Sequence, residues 1–381
     1  MEKAKVDYVI RQYKPGDEDK IVKLLLDTFQ PWPKFDIACS AVDHWRWKFI
    51  DSPTNKNMYT HTVADLHGEI IGVDHGMLYR IKIGEGTYGG EKGADTAVNP
   101  NYRGQGIYSK MSKLKHEIVN AMGYEFDYAL SNNPIFVKST QKKRLEKDPE
   151  AEAPFPHLPK SLTRINDVSM HFKHAVKEDT LEKTRLQTGV YGSKIINKIS
   201  NPWSKTTLLG DVSINEITVF DDRINTFYEK IKPNYYFLVE KTKDYMNWRY
   251  CDKRGGNFNV WTAEENDEIV GYLVLKINKR NVDYPEGYIV DLLAFNEREN
   301  VADNLAKFAF NYFDEREVNV IWAEVVGGHP YERILGKYGM LDTMMKPNLT
   351  WKTIKPREDY DQFANAPPGK LHYTFGEGDA I

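Results

Sequence analysis

One short block of this sequence occurs twice. Asp43, Trp47, Lys48, Phe49 and Asp51 recur as Asp244, Trp248, Arg249, Tyr250 and Asp252, each pair separated by the same 201 positions. Further on, Glu69-Ile70-Ile71-Gly72 recurs as Glu268-Ile269-Val270-Gly271, with the offset changed by two. The hydrophobic patterns repeat in the same order. Tyr8–Tyr13 alternates apolar and polar residues as a strand does, and Asp17 then stands before a helical face of Ile21, Leu24, Leu25 and Phe29. The pattern restarts with a strand over Ile214–Phe220. There Asp221 or Asp222 is placed to cap a helix bearing Ile224, Phe227, Tyr228 and Ile231. A chain of 381 residues has room for two or three domains. Duplication of a whole domain is the economical reading.

In the first copy, Met58–Asp65, Glu69–Ile83 and Thr87–Val98 read as three successive strands. Ile107, Met111, Leu114 and Ile118 then fall at helical spacing, and Phe126–Leu130 reads as a buried strand. Residues 142–162 are charged and proline-rich, as an exposed connector would be, and a helix is expected between about Asp179 and Ser200. In the second copy a strand over Tyr288–Ala294 and a helix over Asn300–Phe313 complete the parallel, and a helix follows over Glu332–Tyr338. The expected division is 1–150 for the first domain, 151–210 for a linker with a helix, 211–356 for the second domain and 357–381 for a tail. The expected fold class is α/β of the α+β kind, each domain a mixed, mostly antiparallel sheet flanked by helices.

The segment from Ala97 to Ile107 carries the chemistry. A strand ends at Asn99-Pro100, a turn holds Arg103, Gly104, Gln105 and Gly106, and a helix begins. Glycines let a backbone approach a ligand and adopt positive φ. The first amides of a helix are unpaired and carry partial positive charge, so the turn can cradle a pyrophosphate, with Arg103 adding a fixed charge. The run V-x-P-x-Y-R-G-Q-G-I resembles the pyrophosphate loop of the GNAT acyltransferase superfamily, the Arg/Gln-x-x-Gly-x-Gly/Ala pattern. Tyr108 stands where that family usually has Gly or Ala. The resemblance runs from residue 7 to about 145 and implies a sheet splayed in the middle, with acetyl-CoA or another acyl-CoA as co-substrate in the splay. It implies that the backbone of Thr96, Ala97 and Val98 holds the pantetheine. The amides of Arg103, Gly104, Gln105, Gly106 and Ile107 would hold the pyrophosphate. Asn133 would contact the CoA arm, or else serve as a turn or capping residue. The corresponding stretch of the second copy, Asn296–Val301, has no glycine and carries two acids, which oppose an anion there. Only the first half is therefore expected to bind acyl-CoA, the second shaping the substrate cleft.

Acyl transfer to an amine needs a base for the amine proton and a donor for the thioester oxygen. Asp95, in the strand leading to the loop, is the first candidate base. His75 and Asp74 in the preceding strand come next, and a carboxylate from the tail Tyr373–Asp379 is a further candidate. The family's usual acid, a tyrosine, is absent from Val137–Gln141, so Tyr108 or Tyr128 would substitute or the thiolate would leave unassisted.

The remaining features narrow the partners. A formal charge of −3 shows no basic bias toward nucleic acid, and two cysteines suit a reducing compartment. No histidine cluster has metal-ligand spacing, so no metal is expected. No run of residues is apolar enough for a membrane span or a signal peptide, and a cytoplasmic monomer or homodimer is expected. The reading is N-acetylation of an amine on a small metabolite or amino sugar, the sugar suggested by the 13% aromatic content. The alternatives are an aminoacyl or peptidyl transferase of related tandem layout and a non-catalytic acyl-CoA sensor or scaffold.

Overall fold

The computed structural model describes residues 6–55, 58–131, 159–177, 212–279, 283–343, 348–353, 362–363 and 365–378. Two seven-stranded sheets carry the fold. In the first half, β1 (Val9–Gln12), β2 (Thr62–Leu66), β3 (Glu69–Ile83) and β4 (Gly86–Val98) form an antiparallel run. Then β5 (Phe126–Ser131) pairs parallel to β4. Helices α1 (Glu18–Phe29), α2 (Ala41–Phe49) and α3 (Ile107–Ala121) pack on this sheet. The helical spacing of α1 puts Ile21, Leu24 and Leu25 in the core. Asp17 stands at its start as expected, but its carboxylate takes the Lys14 amide and the Arg11 guanidinium instead of a helix amide.

After α4 (Val168–Lys177) the second half repeats the order: β7 (Ser213–Ile217), α5 (Arg223–Ile231), α6 (Lys243–Met246) with a wider turn over Asn247–Cys251, β9 (Phe258–Glu265), β10 (Glu268–Asn278), β11 (Glu286–Ala294), α7 (Glu299–Asp314), β12 (Val320–Val326) and α8 (Pro330–Lys337). Again the last central pair, β11 with β12, is parallel. The helix expected over Asp179–Ser200 lies outside the described residues.

The halves exchange strands. β6 (Pro159–Ile165), which follows the first half in sequence, pairs with β12 of the second sheet and there also meets β13 (Leu341–Asp342). In return, β14 (Asn348–Thr353) pairs with β5, and β8 (Phe237–Val239) pairs with the end of β3. The repeated block lies where the halves meet. Trp47 and Trp248 stack at 5.1 Å, and each indole donates to the other's carbonyl oxygen, at 2.8 and 2.9 Å. Such reciprocity is the signature of a two-fold relation between equivalent surfaces. One hydrophobic core accordingly runs from Trp45, Phe49 and Tyr79 of the first half to Phe227, Tyr250 and Val290 of the second.

Candidate active site

The glycine loop follows β4 directly. Gly104 and Gly106 have φ of +89° and +74°, and Gly106 is the left-handed residue that starts α3. A β-carbon at either would be strained, although nothing crowds it. The loop is braced from below: Tyr8 Oη donates to the Gln105 carbonyl at 3.0 Å, and the Val6 amide to Gln105 Oε1 at 3.2 Å. Arg103 Nε donates to the Val98 carbonyl at 3.1 Å, which keeps its charge beside the end of β4. Arg103, Gly104 and Gly106 are exposed, Ile107 is buried, and the first turn of α3 has no acid. Exposed amides at a helix start, a nearby guanidinium and no opposing carboxylate make an anion cradle.

The cleft begins where two strands part. β4 pairs with β5 only through Gly90–Lys92, but with β3 as far as Val98. The β5-facing edge from Gly93 to Val98, including Thr96, Ala97 and Val98, is therefore left without a strand partner among the described residues. An extended ligand can take up such an edge by main-chain hydrogen bonds. The parting coincides with a bulge opposite Asp74, and Asp95 lies in it with φ +41°. Bulges twist a strand and re-aim its side chains. Asp95 Oδ2 meets Lys48 Nζ of α2 at 2.7 Å, with the carboxylate 17% exposed.

The other candidates separate. His75 is fully buried: its Nε2 accepts from Trp45 Nε1 at 2.9 Å, its Nδ1 faces the Asp95 carbonyl at 3.2 Å, and Phe49 stacks on it at 4.0 Å. Because Nε2 is an acceptor, the ring is the neutral Nδ1–H tautomer. Burial pushes its pKa well below the ordinary histidine value. Both nitrogens are used, so the geometry corrects the expectation for His75: it packs and orients, with no lone pair for a substrate. Asp74 is likewise enclosed, taking Thr96 Oγ1 at 2.8 Å and Lys115 Nζ at 3.2 Å. Tyr108 is half-buried, one residue into α3. Asn133 and Val137–Gln141 lie outside the described residues, as does the side chain of Tyr128.

The second half has the same parting, with β11 leaving β12 after Ile289, but the edge is capped at Ala294. Tyr331 Oη of α8 accepts the Ala294 amide at 2.9 Å and donates to the Ala294 carbonyl at 3.3 Å, capping both backbone groups where, at the matching Val98, the carbonyl is taken by Arg103. At the start of α7, Arg298 pairs with Glu265 at 2.8 Å and Glu299 binds Arg333. The tail returns to this half and not to the open cleft. Glu377 is fully buried and meets Lys241 Nζ at 2.6 Å, while Lys241 also meets Asp291 at 2.9 Å. Asp291 further takes the hydroxyls of Tyr250 and Tyr272, both at 2.8 Å, and faces His372 Nε2 at 2.9 Å. Burial alone would raise the Asp291 pKa. Lys241 and His372 more than reverse this and hold the carboxylate below the usual range. Ligand atoms of Asp291, His372 and Glu377 lie within 4.8 Å of one another, a grouping that local spacing did not reveal because it spans the chain from 291 to 377. The Lys241 ammonium already supplies the positive charge between the two carboxylates.

Comparison with known proteins accords with this geometry. Residues 9–138 match the family model described as acetyltransferase (GNAT) domain. No curated protein matches the sequence. Among solved structures, a GCN5-related N-acetyltransferase from Anabaena variabilis superposes with TM-score 0.58 at 7% identity, over 92% of this chain and 73% of that one. Saccharomyces cerevisiae N-myristoyltransferase with bound myristoyl-CoA gives 0.58 at 12% identity, over 95% and 84%. A probable N-acyltransferase from Enterococcus faecalis gives 0.56 at 9% identity, over 91% and 71%. At these identities the structural likeness speaks for the fold. Residues 9–138 thus match the acetyltransferase (GNAT) domain family, within an overall fold shared with these acyltransferase structures.

Proposed function

We propose that this protein is an acyl-CoA-dependent N-acyltransferase that binds one acyl-CoA in its first half and transfers the acyl group to an amine. In our reading the group is acetyl and the acceptor a small metabolite or amino sugar. The observation that carries the reading is the asymmetry between two otherwise equivalent halves. The first pairs an open strand edge with a glycine loop, whereas the second closes the same edge with Tyr331.

The amides of Arg103–Ile107 hold the pyrophosphate and the backbone of Thr96–Val98 the pantetheine. The thioester then lies near the bulge at Asp95. A strand amide at the parting faces the thioester oxygen as charge builds on it. Asp95 takes the proton from the attacking amine, and Lys48 keeps its carboxylate in place. Tyr108 returns a proton to the departing thiolate. The acceptor enters between the halves, where α2 meets Trp248 and the turn Lys253–Gly255.

Titration calorimetry with acetyl-CoA tests the reading, with Gly106→Glu alongside. One site of micromolar affinity in the wild type, weakened at least tenfold in the variant, is expected. Binding of myristoyl-CoA but not acetyl-CoA would correct the acyl group. Binding of neither would overturn the acyl-CoA reading.

A further inference from the structure

Buried lysines in this protein have partners. Lys48 meets Asp95, Lys82 the carbonyl oxygens of Gly84 and Tyr235, Lys115 Asp74 and Glu91, and Lys241 Asp291 and Glu377. Lys276, next but two from the end of β10, does not. Its side chain is fully buried, yet Nζ has no hydrogen-bond partner among the described residues. The ammonium instead lies over the Phe35 ring, 3.5 Å from its centre, with Phe258 at 5.0 Å. A β-carbon at Gly256 would come within 2.9 Å of Nζ, so the space around the amine depends on a glycine. Asp36 follows Phe35 and has a buried oxygen, Oδ1, that is also unpartnered. Its other oxygen reaches only Asn257, at 3.5 Å. Lys276 feels the Asp36 charge without touching the carboxylate. A buried cation and a buried acceptor, neither with a hydrogen-bond partner for the named atom among the described residues, thus lie near one another without meeting. Buried polar groups are rarely left so, and such a pair points to a missing occupant.

The position fits an acceptor. Phe35 and Asp36 lie on the segment joining α1 to α2, outside any helix or strand. His44, in the first turn of α2, donates from Nδ1 to the Arg254 carbonyl at 2.7 Å. It feels both Lys48 and Lys276. Lys48, the Asp95 partner, is one helical turn beyond His44, about 6 Å along the axis. Lys276 and Lys48 thus both act on His44 of the same short helix, whose far turn holds the Asp95 partner.

We propose that Lys276 binds the carboxylate of the acyl acceptor, which makes the acceptor an amine of amino-acid type, with Phe35 as the cover over it. Asp36 takes a donor from the same molecule. The proposal rests on the acyl-CoA reading above and narrows its acceptor class.

The test uses the full chain, the protein amino acids and their carboxamides. Acetyl-CoA-dependent thiol release and the shift in melting temperature are both recorded. The wild type is expected to respond to one or more amino acids and to discriminate at least tenfold against the matching carboxamides. Lys276→Met is expected to abolish that discrimination while its acetyl-CoA affinity and its folding are unchanged. Equal response to acids and carboxamides, retained discrimination in Lys276→Met, or acetyl-CoA binding with no response to any amino acid would each overturn the proposal. Failure of the wild type to bind acetyl-CoA would instead remove the reading on which it rests.

Discussion

Lys241 shows how much one side chain can hold. It neutralises both Asp291 and Glu377 in a fully buried cluster that ties residues 372–377 to the second sheet. Removing one partner of such a group leaves a buried charge uncompensated. Lys241→Met is expected to cost about 3–5 kcal/mol of stability, read from urea unfolding; a loss below 1 kcal/mol would contradict the ion-pair account. Lys276 behaves oppositely. Burial lowers its pKa to about 7, whereas a lysine in the unfolded chain titrates near 10.4. Between those values the unfolded chain binds more protons, so this residue makes stability rise with pH over roughly pH 7–10. Lys276→Met should flatten that rise, and equal pH slopes in the two proteins would count against it. The residues also show what could be read locally. Gly104 and Gly106 were legible, because a glycine pair before a helix pattern has few uses. His75 was not: its role depends on Trp45, which occupies one nitrogen, and Phe49, which stacks on the ring, thirty and twenty-six positions away. Lys276 and the tail cluster were missed for the same reason, since their partners come from remote segments.

At the scale of elements, period-2 and period-3.6 patterns located most strands and helices. The expected strand Glu69–Ile83 coincides with β3, and the helix expected over Asn300–Phe313 lies within α7. Which sheet a strand joins was less legible. The stretch 142–162, read as an exposed connector, overlaps the start of β6 over residues 159–162, where the chain is largely buried and joins the second sheet. A strand's own pattern states that it pairs, while its partner is set by the far end of the chain. The Trp47–Trp248 contact joins elements rather than residues: each indole fills a space made by the other copy. Trp47→Ala and Trp248→Ala are each expected to cost about 3–5 kcal/mol, as for other buried large-to-small changes. Because the two side chains form one contact, the double variant should lose less than the sum. Additive losses in a double-mutant cycle would mean that the contact is not shared.

For the whole molecule, the strand exchange makes the halves interdependent. The sequence division at 150, 210 and 356 remains our proposed outline, with β6, β8 and β14 crossing it. A fragment of residues 1–150 would leave β5 without β14 and the end of β3 without β8. It is therefore expected to be insoluble alone and to be rescued by co-expression with residues 151–381; a fragment that is folded and monomeric alone would contradict this. The duplicated layout also gives the central claim an internal control. Each half has a parted pair of strands; among the described residues a glycine loop follows the parted edge in the first, and Tyr331 caps it in the second. Hydrogen exchange of the full chain with and without saturating acetyl-CoA compares the two directly. The account predicts slowed exchange over residues 96–109 and no change over residues 292–303. Protection confined to the second stretch, or equal in both, would contradict it.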